Sequence, residues 1–255
     1  MVQNYGNPQT LNRYTYCLNN PLSYTDPTGN EVDFENESAA IAAIDYANST
    51  GFDWAPDSAM DSMVRDWSSL RGGWSTLSTA APDVTSNIND SNTIVTVKWN
   101  SQISGGQTKY NETGNIDILL GNGLKDMGTD IIATYLGHEA FHAEEAIEKG
   151  ISLHNNTAAN EAFAYGFGYA VATKLGCVNK YNNSIPGPFM AFNGLNPFMS
   201  AGELENRVQE ARGTLLNVPN SPYFRGLGRL TAWPGTFGRD KGKFLSVAQS
   251  VWVRQ

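Results

Sequence analysis

The stretch TDIIATYLGHEAFHAEEAIEK, residues 129–149, reads as one helix, with Thr129 placed to cap its start and Gly150 to stop its end. Inside it stands HEAFH. At about 3.6 residues per turn His138 and His142 lie one above the other on a single face, so both imidazoles can reach one ion about 2.0–2.1 Å away. Glu139 projects about 100° further round and can address a water at that ion without ligating it. The chain contains three histidines, and two of them fall in this arrangement with a glutamate directly after the first.

Such a pair needs a third protein ligand from a second element, leaving a fourth position for water. The next helix, NTAANEAFAYGFGYAVATKLG, places Glu161 eighteen residues beyond the motif, so the pattern is HEAFH-x18-E. That spacing, with Asn160 before the glutamate and Ala162, Phe163 and Ala164 after it, resembles the gluzincin metallopeptidases, in which a helix-borne glutamate completes the site. The resemblance implies Zn2+ held by His138, His142 and Glu161. Two competitors for the third position are His154, in the connection between the helices, and Glu148. In metzincins the motif continues as HExxHxxGxxH. Here Glu145 stands at the glycine position and Glu148 at the last ligand position, so nothing turns the helix back.

The chemistry implied is amide hydrolysis, with Glu139 taking the proton of a zinc-activated water and returning it to the leaving amine. Charge on the carbonyl oxygen needs another donor, for which His154, Tyr165 and a tyrosine later in the chain are candidates. Tyr165 stands where relatives of this type often carry an aspartate that orients a histidine, so outer hydrogen bonds to the imidazoles must come from elsewhere. In zincin folds the strand before the motif helix is an edge strand that pairs with an extended peptide. Residues 115–120 occupy that place, which implies substrate binding by strand addition, an interior strand being the other reading.

Around this centre, ESAAIAAIDYANS (37–49) and residues 57–70 have helical spacing, with Met60, Met63 and Trp67 as core positions. TIVTVKW (93–99) and NIDILL (115–120) alternate as strands and are expected to be neighbours, Gly105 and Gly106 serving a loop or hairpin between them. Residues 181–199 read as an irregular segment pinned on the core by Phe189, Phe192 and Phe198. Residues 201–216 form a packing helix with Leu204, Val208 and Leu215 inward. The expected fold is α+β and helix-rich, zincin-like, a small mixed sheet packed on the HExxH helix and the glutamate-bearing helix.

The first thirty residues differ in kind. Tyr14, Tyr16, Asn19-Asn20-Pro21, Tyr24 and Asp26-Pro27-Thr28-Gly29 resemble the C-terminal end of the core of RHS/YD-repeat proteins, where such motifs mark the junction with a variable toxin domain. Asn30 replaces the leucine that follows the junction motif in that family. The resemblance implies two parts, a core remnant at 1–30 and a metallopeptidase toxin at 31–255. It further implies an RHS shell in a longer protein, delivery into a target cell, a protein or peptide substrate there, and a cognate immunity protein.

A net charge of -8 argues against general nucleic-acid binding, although residues 225–255 carry six basic side chains against the single acid Asp240 and read as a solvated basic surface. The opening residues lack an export signal's charged and apolar regions, and no run of about 18 apolar residues suggests a membrane span. Cys17 and Cys177 are expected as free thiols. Two other readings keep the motif: a zinc hydrolase acting on a non-protein amide, and a zinc-stabilised binding module without catalysis.

Overall fold

The computed structural model describes residues 32–111, 113–149, 158–181, 191–192 and 201–216. The strands arise where β-branched and apolar residues alternate, giving β1 (Asp33–Phe34), β2 (Val95–Asn100), β3 (Gly106–Tyr110) and β4 (Ile116–Gly121). They form one mixed sheet in the order β1-β2-β4-β3. β1 and β4 run parallel to β2, with Val95 opposite Ile116 and Val97 opposite Ile118, whereas β3 is antiparallel to β4.

This topology corrects two expectations. The strands at 93–99 and 115–120 are adjacent, but parallel neighbours cannot be joined by a tight hairpin. The chain instead passes β4's position and forms β3 on its far side, so Gly106 opens a strand and does not make a turn. The turn lies after β3, where the Asn111 side chain accepts hydrogen bonds from the backbone N–H groups of Thr113 and Asn115 at 3.2 and 2.8 Å. β4 is therefore interior, and the end of the sheet beyond it, among the described residues, is β3.

Seven α-helices accompany the sheet among the described residues, of which α2 and α4 pack on its strands: α1 (Glu37–Thr50), α2 (Ala59–Ala80), α3 (Pro82–Asn89), α4 (Thr129–Lys149), α5 (Ala158–Lys174), α6 (Val178–Tyr181) and α7 (Ala201–Leu216). The fold is α+β and helix-rich. Helix α2 is capped by the Ser58 hydroxyl, which accepts the Asp61 N–H at 3.2 Å, and it runs well past the expected end near residue 70. Gly72 and Gly73 do not stop it because the pair lies against α4: a Cβ on Gly73 would stand 2.3 Å from Cγ2 of Ile132. Trp67 is buried as expected, while Met60 and Met63 are only half-buried at the margin. Helix α3, unforeseen from the sequence, starts with Pro82 in its first turn, where proline's missing N–H costs nothing.

Helix α4 is the axis of the molecule. Ile132, Ala133, Leu136, Ala140, Ala143 and Ala146 are buried around it, and α2, α3, α5, β3 and β4 pack on it. A helix packed by other elements on so many sides lies in the interior even though Thr134, His138, Glu139, His142, Glu144 and Glu145 are buried on it as well. Full burial of a side chain such as Leu136 contributes about 1.5–3 kcal/mol, so the packing that fixes α4 also fixes whatever its histidines do. Phe192 is buried against Tyr169, with ring centroids 6.5 Å apart, and Arg207 of α7 donates to the Ala191 carbonyl at 2.9 Å. Val208 and Leu215 face inward. Phe189 and Phe198 lie outside the described residues, as do residues 1–30 with their junction motif, Cys17, the stop at Gly150 and the basic tail. Cys177 is a buried free thiol. No helix among the described residues is long and apolar enough to cross a membrane.

Candidate metal centre

Helix α5 crosses α4 so that Glu161, in its first turn, faces the HEAFH segment. The helix N-terminus favours an anionic side chain there. The rings of His138 and His142 stand 5.0 Å apart between centroids, inclined at 71°. Both direct Nε2 at one carboxylate: Glu161 Oε1 is 3.2 Å from His138 Nε2, and Oε2 is 3.1 Å from His142 Nε2. One ligand atom from each of the three side chains lies within 4.8 Å of the others, and all three residues are buried. This group can hold a metal ion, and it is the one such group of histidine, cysteine and acidic residues among those described.

The electrostatics follow from the crowding. Burial pushes the Glu161 carboxyl up, but the His138 and His142 rings outweigh it and hold Glu161 far below the ordinary carboxylate range. Burial pushes His138 down, and the Glu161 charge with its hydrogen bond overrides this and raises it. Both directions describe one strong pairing. Two nitrogens and one carboxylate oxygen are also the donor set of an open divalent-metal site, since three ligands leave a position unfilled. The three side chains line a cleft of about 440 Å³ together with Glu139 and the segment from Gln102 to Thr108.

Glu139 is buried beside the group, its Oε1 3.9 Å from His138 Nε2. Its other surroundings come from β3. The Thr108 hydroxyl lies 2.7 Å from Glu139 Oε2 and 3.0 Å from the Glu139 carbonyl oxygen. The Tyr110 hydroxyl donates to the His142 carbonyl at 3.3 Å. A Cβ on Gly106 would stand 2.5 Å from Glu139 Oε1, so the strand leaves room for that carboxylate only because residue 106 is glycine. Gly106, Thr108 and Tyr110 thus line the side facing α4, while Gln107 and Lys109 are exposed. Reading residues 101–114 as a connection missed all three. The available signal was the alternation in GQTKY, weakened because its inward residues are small or polar.

Of the sequence-derived candidates, His138, His142, Glu161 and Glu139 are brought together. Glu148 is exposed on α4 and lies outside the cluster. His154 lies outside the described residues. The Tyr165 ring meets His138 edge to face, with centroids 4.5 Å apart. Burial and the charge of Glu161 raise its hydroxyl well above the ordinary phenol value, and burial with Glu139 does the same for Tyr110, so both stay protonated donors at neutral pH. No protein-family model, curated protein or solved structure matches the chain.

Proposed function

We propose that the chain is a zinc-dependent metallopeptidase with a zincin-like catalytic unit, acting as the C-terminal toxin of an RHS-type polymorphic toxin. The observation that carries the enzymatic part is the convergence of His138, His142 and Glu161 on one point beside a cleft, with the Glu139 carboxylate next to it. Zinc in such a site would act as a Lewis acid and bring the pKa of a water toward about 7. Glu139 would accept that water's proton and deliver it to the departing amine, which requires one free carboxylate oxygen on the cleft side. Tyr165, held as a phenol against His138, is assigned as the donor to the carbonyl oxygen.

Substrate is proposed to lie along β3. Among the described residues this strand, not residues 115–120, is the terminal strand next to α4, and its outer edge can pair with an extended peptide. A purely structural zinc site has four closed ligands and gains nothing from a base beside them, so Glu139 favours catalysis over a zinc-stabilised binding module. The toxin assignment rests on the tyrosines, the Asn19-Asn20-Pro21 turn and Asp26-Pro27-Thr28-Gly29 at the start of the chain, and it carries with it a cognate immunity protein and an RHS shell.

The test is bound metal and proteolysis of a target-cell lysate, measured for the wild type and Glu139→Gln. We expect one zinc per chain in both and loss of cleavage by about 10²–10⁴-fold in the variant. Equal cleavage by the two proteins would reject Glu139 as the base. A peptide-free amide as the sole substrate would move the function to a non-protein hydrolase.

A further inference from the structure

On the β3 side, the Glu139 carboxylate is held by a hydroxyl. An ionised carboxylate has acceptors and no donor, so the contact of 2.7 Å between Thr108 Oγ1 and Glu139 Oε2 requires the threonine proton to point at the carboxylate. The Glu139 carbonyl oxygen, 3.0 Å from the same hydroxyl, competes for that single proton, and the charged acceptor is the stronger one. Thr108 has little freedom to withdraw. Its β-branched side chain is stiff at χ1, and its strand is locked in register opposite Ile118, itself fully buried. Two residues earlier on the same face, Gly106 leaves the space into which Oε1 fits, and a Cβ there would collide with Oε1, Cγ and Cδ of Glu139 at 2.5, 2.7 and 2.9 Å.

Resting on the metallopeptidase reading, we propose that Thr108 is a positioning residue. It grips Oε2 of Glu139 so that Oε1, seated over Gly106 and 3.9 Å from His138 Nε2, is the oxygen presented to the cleft as proton acceptor. The glycine and the threonine of β3 form one seat for the base, built by an element that contributes no metal ligand. Glu139 makes both contacts in a single conformation, and proton transfer depends on such placement.

Two experiments test this. In the zinc-loaded protein, Thr108→Val keeps the shape and removes the hydroxyl, and we expect kcat to fall about 10- to 100-fold with KM and zinc content unchanged. Thr108→Ser restores the donor and should return kcat to within about threefold of wild type. Thr108→Ala serves the same comparison if the valine variant does not fold. In the metal-free protein, urea midpoints of wild type, Thr108→Val, Glu139→Ala and the double variant form a cycle. We expect the shift caused by Glu139→Ala to differ between the threonine and valine backgrounds. Additive midpoints overturn the contact whatever the activity. A valine variant with wild-type kcat, or a serine variant as slow as valine, overturns the positioning role. An inert zinc-loaded wild type instead rejects the metallopeptidase reading, and with it the catalytic use of the contact.

Discussion

Glu161 Oε1 lies 3.2 Å from His138 Nε2, and the two groups set each other's charge: the carboxylate raises His138, and the ring helps depress Glu161. Glu161 bridges at the same time to His142, so one carboxylate from α5 spans two successive turns of α4.

The pair makes the stability of the metal-free protein depend on pH in both directions. The depressed Glu161 contributes stability that is complete above its ordinary value of 4.5 and is lost as pH falls through its folded value. The raised His138 contributes stability that is complete below 6.5 and is lost as pH rises through its folded value. Urea midpoints of the metal-free chain should therefore be highest between pH 4.5 and 6.5 and decline on both sides, and Glu161→Gln should flatten the profile. An unchanged profile in the variant would show that the pair does not hold the structure.

Zinc competes with that proton, because a ligating histidine must be neutral. Zinc affinity should rise with pH across the histidine range, with protons released on binding in calorimetry. Free zinc at about 100 times Kd should stabilise the chain by roughly 2.7 kcal/mol, reversibly with a chelator. Removing an outer partner of a ligand typically costs about 10–100-fold in metal affinity, and loss of the ligand itself in Glu161→Gln should exceed that range.

Gly106→Ala puts a methyl group where Oε1 of Glu139 sits, 2.5 Å away by geometry. The flexible glutamate yields, so the protein should fold and bind zinc, while kcat falls about 100-fold through misplacement of the base. Activity at the wild-type level with alanine at this position would mean that Glu139 works from another rotamer.

Tyr165→Phe keeps the ring against His138 and deletes only the hydroxyl. As the donor to the carbonyl oxygen, that hydroxyl should be worth about 10²–10³ in kcat, with zinc content and melting temperature close to wild type. If the phenylalanine variant turns over normally, Tyr165 is a packing residue and the donor lies elsewhere.

Gly73→Ala tests the crossing of α2 over α4. Its Cβ would meet Ile132 at 2.3 Å, and overpacking of this kind costs about 1–3 kcal/mol, more than the roughly 0.8–1 kcal/mol that alanine gains over glycine in an open helix. Urea unfolding should show net destabilisation. A more stable variant would indicate that the helices separate without cost.

Helix α4 was legible in the sequence because helical periodicity is local. A spacing of four positions from His138 to His142 suffices to stack their rings on one face, and the next helical pattern brings a glutamate within range at Glu161. The HEAFH-x18-E spacing already favoured Glu161 over Glu148, and what the tertiary structure adds is that the face of α4 bearing both histidines is the one that meets Glu161 of α5. The order of the strands was out of reach. Parallel pairing of β4 with β2, across the intervening β3, is a contact no local pattern encodes, and alternation within TIVTVKW or NIDILL tells which residues point inward but not which strand ends the sheet. The seat of Glu139 lies furthest from any local signal. Gly106 and Thr108 carry no apolar pattern, and they became part of the site only because antiparallel pairing with β4 lays them against α4, where a missing Cβ and one hydroxyl meet a buried carboxylate.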